Sequence, residues 1–515
     1  MGRPASWPGE ACRRISIIGT DPVFRRDTHR MLFPGVSVAS SSDTVSSVSM
    51  SDLSQLPSVD QLLLQPALEP LLQGADRAHA TTAARQVLAD LRDLIRSGEI
   101  EANRESLLLQ ATHRLLEALD ADTQSSLRPV INATGVILHT GLGRAPLAPE
   151  AKQALLEAAD HYCNFELDLT TGDRGQRLDH VDGTLQRLTG AEATAVVNNN
   201  AAAVLLLLHT LAAGREVIIS RGQLVEIGGS FRLPDIIAAS GAKIREVGTT
   251  NRTHLRDYEE AINAETALIL VVHPSNYRVA GFTTEPDAKA LTELGRRAHI
   301  PVAFDLGGGT LRSLDQWGLP HEPVVTDSLR AGFDVVTFSG DKILGGPQSG
   351  ILAGKAELIQ RMTASPLMRT LRCDKLILAA LEATLNLYRL DNEMLSQALP
   401  TLRMMTESVD LVEARAESRL GQISAEVRRK LGAAVVSTKA QAGSGALPVE
   451  ELDSFALACG DGNAEALACH LRLDSAHAVV GRITQERLLL DLRTVRDIDV
   501  VPLAAAVERA AHAVG

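Results

Sequence analysis

The stretch VVTFSGDKILGGP, at residues 335–347, joins an apolar run to a lysine held between glycines. Residues 335–338 are apolar or β-branched throughout, which is typical of a strand buried on both faces of a parallel sheet. Lys342 follows at the carboxyl end of this strand, where open α/β sheets bind their ligands. Most lysines are solvated surface charges. A lysine partly removed from water has a lowered amine pKa and reacts with carbonyl groups, so Lys342 is a candidate for holding a cofactor covalently.

Four shorter apolar runs before this stretch also end in polar or glycine turns. Segments of helix length, such as residues 201–213 and 285–298, lie between the runs. This alternation predicts an α/β fold in which helices cover both faces of a sheet. The four runs are residues 194–197, 216–219, 267–272 and 302–304.

A carboxylate ends one of these runs. Asp305 follows residues 302–304 and precedes a glycine-rich turn at residues 306–309. A carboxylate at a strand end can pair with a protonated pyridine nitrogen and so keep a pyridoxal ring an electron sink. The ordinary alternative is an aspartate that caps a turn. The turn lacks the GxGxxG spacing and the GK[ST] sequence of nucleotide-binding loops.

A predicted helix N-terminus completes the pattern. Asn198–Asn200 follow the run at 194–197, and asparagine is a good helix N-cap. The small residues Ala201 and Ala202 would let a phosphate approach the free amides of the first turn. An ordinary N-cap would look the same in isolation. Together, the three elements predict a pyridoxal 5′-phosphate site formed by Lys342, Asp305, Asn200, Ala201, Ala202 and Ser339.

Arginines near these elements suggest a second ligand. Arg144 lies in a glycine-containing loop before the sheet, and Arg369 and Arg372 are three residues apart, as on one face of a helix. Grouped arginines suit a tetrahedral oxyanion, although surface arginines in salt bridges would show the same spacing. Glu226 could be catalytic or an interface carboxylate, and His273 has no metal-ligand spacing. We predict no metal site.

Composition limits the possible partners. The formal net charge of −12 argues against a general coating of DNA, which needs excess lysine and arginine. No apolar run approaches the roughly 18–20 residues of a membrane span. The five scattered cysteines contain no CxxC pair, which fits a reducing compartment. We therefore expect a cytoplasmic protein without a membrane partner.

Changes in pattern divide the chain into four segments. The first has no periodic apolar face and includes a serine-rich run, so it is either disordered or the result of a start codon assigned too early. In the last, we predict strands near residues 433–437, 479–483 and 488–491, the second and third forming a hairpin. The segments are a 1–49 extension, a 50–122 helical domain, a 123–388 large domain and a 389–515 small α+β domain.

Several longer strings resemble bacterial selenocysteine synthase, the L-seryl-tRNA(Sec) selenium transferase family. The resemblance runs from about Leu53 to the end of the chain. The strings are LPSVDQLL at 56–63, VINATG at 130–135, HTGLGR at 139–144, RGQLVEIGGSFR at 221–232, HPSNYR at 273–278, SGDK at 339–342, VGRI at 480–483 and LLLDLRTV at 488–495.

This resemblance implies a fold-type-I pyridoxal-phosphate transferase with a small C-terminal domain and an N-terminal domain that grips the selenocysteine tRNA. It implies a ring-shaped homodecamer that converts seryl-tRNA(Sec) to selenocysteinyl-tRNA(Sec), with selenophosphate as donor. Lys342 would hold the cofactor, with Asp341 beside Arg144. Arg144, Arg369 and Arg372 would hold the phosphate of the donor.

Two departures from the family and two alternative functions remain. Gly141 replaces a usual asparagine, and residues 176–180 differ from the family's usual sequence. One alternative is a related pyridoxal-phosphate lyase that acts on a small amino acid or amino sugar instead of tRNA. The other is a tRNA-binding module without catalysis, which Lys342 and Asp305 disfavour.

Overall fold

The computed structural model describes residues 53–73, 76–101, 103–123, 125–227, 231–277, 279, 281–444 and 446–514. These residues form two compact units, 53–129 and 130–514. The expected extension at residues 1–49 lies outside the described residues. Within the described ranges, no helix has the length and apolarity needed to span a bilayer.

The first unit is helical. Ser58 begins it with a capping box, in which its side chain accepts from the amide of Gln61 and the Gln61 side chain accepts from the amide of Ser58. Apolar residues at helical spacing then meet in a small core that includes Leu62, Leu91 and Leu115. Its helices are α1 (Val59–Leu63), α2 (Glu69–Leu72), α3 (Arg77–Arg96) and α4 (Arg104–Thr123), with a 3₁₀ turn at Pro66–Leu68.

The second unit contains a seven-stranded mixed sheet in the order β2-β10-β9-β8-β7-β3-β6. β10 is antiparallel to both of its neighbours, and the other pairs are parallel. The central strands are apolar at nearly every position because helices cover both faces. The strands are β2 (Ala193–Val197), β3 (Glu216–Ser220), β6 (Lys243–Val247), β7 (Thr266–Val272), β8 (Val302–Gly307), β9 (Val335–Ser339) and β10 (Gly350–Gly354).

Helices and short ribbons surround this sheet. The helices are α5 (Pro149–Asp160), α6 (Asp182–Thr189), α7 (Asn200–Ala212), α8 (Leu233–Ala239), α9 (Leu255–Ala261), α10 (Ala288–Ala298), α11 (Val325–Arg330), α12 (Ala356–Ala364), α13 (Pro366–Leu371) and α14 (Lys375–Leu387). β4 (Glu226–Ile227) and β5 (Phe231–Arg232) form a two-stranded ribbon. Short 3₁₀ turns lie at Thr140–Leu142, Arg177–His180, Arg221–Gln223 and Leu314–Trp317.

The C-terminal part adds helices and a four-stranded antiparallel sheet in the order β11-β12-β15-β14. β1 (Val130–Asn132), far away in sequence, pairs in parallel with β13 (Ala478–Val480). The elements are α15 (Asn392–Ala398), α16 (Pro400–Thr406), α17 (Val409–Gln422), α18 (Ala425–Leu431), β11 (Ala434–Gly443), β12 (Ala446–Cys459), α19 (Ala464–Leu473), β14 (Arg482–Thr484), β15 (Arg487–Asp491) and α20 (Val500–Ala513), with a 3₁₀ turn at Asp497–Asp499.

The structure confirms the five apolar runs as strands and corrects one prediction in the C-terminal part. The single strand expected near 479–483 is two strands, because Gly481 separates β13 from β14 and the two pair with different partners. A side chain at Gly481 would meet the carbonyl oxygen of Leu489 at 2.6 Å, so the close approach requires glycine. The hairpin is therefore β14–β15, and it turns through Gln485 and Glu486.

Candidate active site

Asp305 occupies the middle of the sheet's carboxyl edge, near the end of β8. Its Oδ1 accepts hydrogen bonds from Asn200 Nδ2 at 2.8 Å, Thr337 Oγ1 at 3.0 Å and the Gly307 amide at 3.1 Å. Burial raises the pKa of Asp305, and these three donors oppose that rise. These hydrogen bonds fix the orientation of the carboxylate. A buried carboxylate without a positively charged partner is energetically unfavourable.

Lys342 lies in the turn after β9, the strand next to β8, and its side chain is buried. Burial lowers the pKa of its amine first, and the nearby charge of Arg144 lowers it further. The carboxylates of Asp305 and Asp341 act in the opposite direction. A larger fraction of the amine is therefore neutral than in a solvated lysine, which is the form that attacks a carbonyl carbon.

Gly307 leaves room next to this amine. A Cβ at Gly307 would lie 4.0 Å from Lys342 Nζ and 3.5 Å from Ser275 Oγ. The Ser275 hydroxyl is buried and has no hydrogen-bond partner among the described residues. Sequence analysis did not single out Ser275, because a serine after a strand carries no distinctive spacing. An orphaned hydroxyl and a missing side chain indicate space for a ligand.

Arg144 and Asp341 form an ion pair at the same site. Arg144 Nη1 lies 2.7 Å from Asp341 Oδ2, and the Asp341 side chain is almost fully buried. This places Asp341 beside Arg144, as the family resemblance implied. Arg144 also adopts a left-handed backbone conformation, with φ of 62°, which is uncommon outside glycine.

Helix α7 points its N-terminus toward Asp305. Asn199 is the N-cap, and its side chain accepts from the amide of Ala202 at 2.8 Å. The amides of Asn200 and Ala201 lie in the first turn, where the helix itself supplies no carbonyl. Of the three predicted phosphate-binding residues, Ala202 already has its amide capped. Ser339 is the buried last residue of β9, paired in register with Gly350.

A separate cavity of about 310 Å³ contains the other two predicted arginines. We call it the arginine cavity, and its charged lining residues are Glu166, Arg174, Arg177, Arg369 and Arg372. Glu166 accepts from Arg174 at 2.8 Å and from Arg177 at 2.5 Å. Partial burial and the charges of Arg177 and Arg369 lower the pKa of Arg372. Four guanidinium groups against one carboxylate make this cavity suitable for an anion.

One expectation about these arginines needs correction. Helix α13 ends at Leu371, so Arg372 does not share a helix face with Arg369. Arg372 reaches the cavity because its backbone forms a bridge with Val197 at the end of β2. Arg144 does not line the arginine cavity and pairs with Asp341 instead. Arg174 and Arg177 line the cavity beside Arg369 and Arg372, and the Arg177 guanidinium also lies 4.7 Å from the centre of the Phe165 ring.

Two carboxylates near the site have different environments. Glu226 is exposed and accepts from Arg232 at 2.7 Å. Glu322 is buried, 3% exposed, and lies 3.5 Å from His273 Nε2. Glu322 could not be identified from the sequence, because its neighbours in the chain form no motif. Only the fold brings it close to His273.

The sheet order, the buried Lys342 after β9 and the buried Asp305 in β8 define an α/β enzyme of fold type I. A solved structure titled D-glucosaminate-6-phosphate ammonia-lyase shares this fold, with a TM-score of 0.53 and 20% sequence identity, over 75% of this chain and 96% of that chain. The family model for L-seryl-tRNA selenium transferase matches residues 130–496. A second model, for the selenocysteine synthase N terminal region, matches residues 53–92.

Curated relatives agree with the family models. The L-seryl-tRNA(Sec) selenium transferase of Methylocella silvestris is 48% identical over 449 residues, covering 86% of this chain and 95% of that protein. That of Moorella thermoacetica is 48% identical over 461 residues, covering 89% and 97%. This chain belongs to the L-seryl-tRNA selenium transferase family, which confirms the resemblance seen in its sequence.

Proposed function

We propose that this protein converts seryl-tRNA(Sec) to selenocysteinyl-tRNA(Sec), with pyridoxal 5′-phosphate as cofactor and selenophosphate as selenium donor. The observation that carries the proposal is the buried pair at the sheet edge: an amine with a lowered pKa in the turn after β9 and a carboxylate held by three donors on β8. The names of relatives 44–48% identical over most of the chain support the substrate.

The residues present fit this cofactor. Asp305 would hold the proton of the ring nitrogen, and the amides of Asn200 and Ala201 would bind the phosphate at the helix N-terminus. Lys342 would carry the aldehyde carbon, and the space beside Gly307 and Ser275 would accept the ring edge. When bound, the cofactor supplies an electron sink for the charge that develops at the serine α-carbon.

The protein groups then divide the remaining work. Lys342 removes the α-proton as general base, which its lowered pKa favours near neutral pH. The β-hydroxyl leaves as water, the selenium of selenophosphate bonds to the same carbon, and water cleaves the phosphorus–selenium bond so that phosphate departs. Arg369 and Arg372 orient the donor in the arginine cavity. Arg144, paired with Asp341, keeps a positive charge next to the amine.

The helical unit and the assembly complete the proposal. The match of residues 53–92 to the family's N-terminal model supports a helical domain, residues 50–122, that grips the selenocysteine tRNA. A large domain to residue 388 would hold the cofactor, and a small domain, 389–515, would complete the subunit. Tyr162 and Leu169 are strongly exposed next to Glu166 of the arginine cavity, and such apolar surface favours burial in a homo-oligomer, which we propose to be a decamer in the cytoplasm.

Turnover of seryl-tRNA(Sec) with selenophosphate tests the proposal directly. The parent chain should form selenocysteinyl-tRNA and show a yellow chromophore that borohydride reduction removes. Lys342→Ala should lose both the chromophore and the turnover, because the variant lacks the amine that would bond to the cofactor. Lys355→Ala, which removes an exposed lysine paired with Asp334 on the same sheet, is the matched control and should keep both.

A chain that stays colourless when offered the cofactor would contradict the proposal. So would a Lys342→Ala variant that retains full turnover. The alternative of a lyase that acts on a small molecule is disfavoured. The relatives named for tRNA substrates are similar to this chain over the helical unit as well as over the unit that contains the candidate active site.

A further inference from the structure

The carboxyl edge of the sheet bears two cavities, one on each side of Lys342. The strand order is β2-β10-β9-β8-β7-β3-β6, with Lys342 after β9 and Asp305 in β8. The arginine cavity lies at the β2 side, where Arg372 bridges to Val197. A second cavity of about 610 Å³ lies at the other side, lined by residues that end or follow β7, β3 and β6. We call it the distal cavity.

The distal cavity has the opposite charge from the arginine cavity. Its ionisable lining groups among the described residues are the carboxylates of Glu285, Glu322 and Glu450, the guanidinium of Arg252 and the imidazoles of His273 and His321. Phosphate would be repelled by three carboxylates. A neutral group rich in hydroxyls would be accepted, since protein carboxylates commonly bind ribose hydroxyls.

The wall of the distal cavity is continuous with the candidate active site. The amide of His273 donates to the carbonyl oxygen of Asp305 at 2.9 Å. Glu322 accepts from the amide of Leu447 at 2.5 Å and faces His273 on its other oxygen. The charge of Glu322 also reaches Lys342 and favours its protonated form. Glu322 therefore belongs both to the lining of the distal cavity and to the charged surroundings of the reacting amine.

Flat groups line the same space. The Tyr277 ring is half-buried in the wall and held by a hydrogen bond from its hydroxyl to the Gly222 carbonyl oxygen. Arg252 also lines the cavity, and its flat guanidinium lies 5.7 Å from the centre of the Phe282 ring. Unstacked bases bind proteins by stacking on aromatic rings and guanidinium planes. The volume falls in the range of ordinary small-molecule sites, roughly 300–1,000 Å³.

We infer that the distal cavity binds the terminal nucleoside of the aminoacylated tRNA, the adenosine whose ribose carries the seryl ester. This inference rests on the proposed function and adds to it the side from which each substrate approaches Lys342. The seryl group reaches Lys342 from the β7 side with its neutral nucleoside in the distal cavity, and the anionic donor reaches the same carbon from the β2 side. Opposite electrostatics keep each substrate out of the other's cavity.

Binding of a stable substrate fragment tests the inference. The probe is 3′-deoxy-3′-(serylamino)adenosine, an amide in place of the labile ester, titrated into the full-length, cofactor-loaded protein by calorimetry. Serinamide, which lacks the nucleoside, is the comparison ligand. The adenosine probe should bind at least about tenfold more tightly than serinamide, as expected for one stacked base.

Thr250→Trp would place a ring in the distal cavity from an exposed lining position. This variant should lower the affinity for the adenosine probe by about tenfold or more and leave the affinities for serinamide and inorganic phosphate unchanged. Lys289→Trp, on the exposed face of α10 and away from the lining, is the control and should bind all three ligands like the parent. The KM for seryl-tRNA should rise in Thr250→Trp with kcat nearly constant.

Equal affinities for the probe and serinamide in the parent protein would overturn the inference. So would an unchanged probe affinity in Thr250→Trp. Either result together with normal seryl-tRNA turnover would leave the proposed function standing. Absence of turnover in the parent, with the nucleoside preference intact, would instead remove the proposed reaction and keep the site.

Discussion

At the scale of single residues, Lys342 decides the chemistry, and its neighbours set its protonation. Burial and the charge of Arg144 lower the pKa of the amine, and Asp305, Asp341 and Glu322 raise it. Burial is the largest of these causes. The ion pair between Arg144 and Asp341 therefore acts on Lys342 through two charges of opposite effect.

Arg144→Ala should move cofactor attachment to higher pH. Because Arg144 lowers the pKa of Lys342, its removal raises that pKa, and less of the amine is neutral at a given pH. Absorbance of the cofactor chromophore, followed across pH after mixing with cofactor-free protein, should show a midpoint above that of the parent. Asp341→Asn should shift the midpoint the other way, since Asp341 raises the pKa. A shift of the same sign in both variants would contradict this explanation.

Arg372→Ala should weaken binding of the selenium donor without affecting binding of the cofactor. Loss of one guanidinium from the arginine cavity removes a charge-assisted hydrogen bond, which is worth about 1.5–3 kcal/mol and therefore roughly 10- to 100-fold in donor KM. Arg361→Ala, an exposed arginine on α12, is the control and should match the parent. An unchanged donor KM with an intact chromophore would exclude Arg372 from donor binding.

Sequence reasoning found the residues at strand ends and missed those that the fold assembles. Lys342, Asp305 and Asn200 each come shortly after an apolar run, so the pattern of the chain places them at one sheet edge. Arg174 and Arg177 lie in an exposed segment without such a run, and only their contacts with Glu166 bring them to the arginine cavity. Spacing along the chain placed Arg369 and Arg372 together, and both line the arginine cavity, whereas a donor role for Arg144 stays a prediction.

At the scale of elements, the two strands of the seven-stranded sheet that were not predicted have an unusual composition. β6 is the sheet edge, and its sequence KIREV is largely polar and exposed, so it lacks the apolar run of a central strand. β10 begins and ends with glycine, which is rare in strands. A Cβ at Gly350 would lie 2.1 Å from the carbonyl oxygen of Asn199, so the glycine allows β10 to pass close to the N-cap of α7.

Arg482 joins three elements of the C-terminal part. Its guanidinium donates to the carbonyl oxygen of Thr134 after β1, to Thr438 Oγ1 on β11, and to Asp491 on β15 at 3.1 Å. Asp491 is fully buried. Removal of the arginine would leave a buried carboxylate without its positive partner, which is strongly unfavourable.

Arg482→Met should therefore lower the free energy of unfolding by about 3–5 kcal/mol, measured by urea denaturation. Arg482→Met combined with Asp491→Leu should recover much of this loss, because the pair is then replaced by apolar groups. Arg429→Met, an exposed arginine on α18, is the control and should change stability by less than about 0.5 kcal/mol. A small loss in the single variant would show that the hydrogen bonds from the Ser454 hydroxyl and the Arg493 amide are sufficient to stabilise the buried Asp491 carboxylate.

At the scale of the whole molecule, the helical unit raises an electrostatic difficulty for the proposed tRNA grip. Residues 50–122 contain six arginines and no lysine against twelve aspartates and glutamates. Such a surface repels phosphate overall, so RNA contact through it has to use local arginines and the shape of the RNA. Arg85, Arg92, Arg96 and Arg104 are candidates, although Arg96 already lies 3.1 Å from Asp93.

Removal of the helical unit should separate tRNA binding from cofactor chemistry. A chain that starts at Ser126 keeps all residues from β1 onward, including the β1–β13 pair and the whole candidate active site. It should therefore still form the yellow chromophore, while its affinity for seryl-tRNA(Sec) in a filter-binding assay falls by at least about tenfold.

The salt dependence of tRNA binding by the parent chain provides a second check of the same proposal. Because only a few arginines would contact phosphates, the slope of log affinity against log salt should be shallow, about −0.7 to −0.9 for each phosphate contact. Loss of Arg92 and Arg104 together should reduce that slope by about two contacts and leave the chromophore intact. If the chain starting at Ser126 binds the tRNA as tightly as the parent, the grip lies in residues 126–514, and the acidic helical unit serves another purpose.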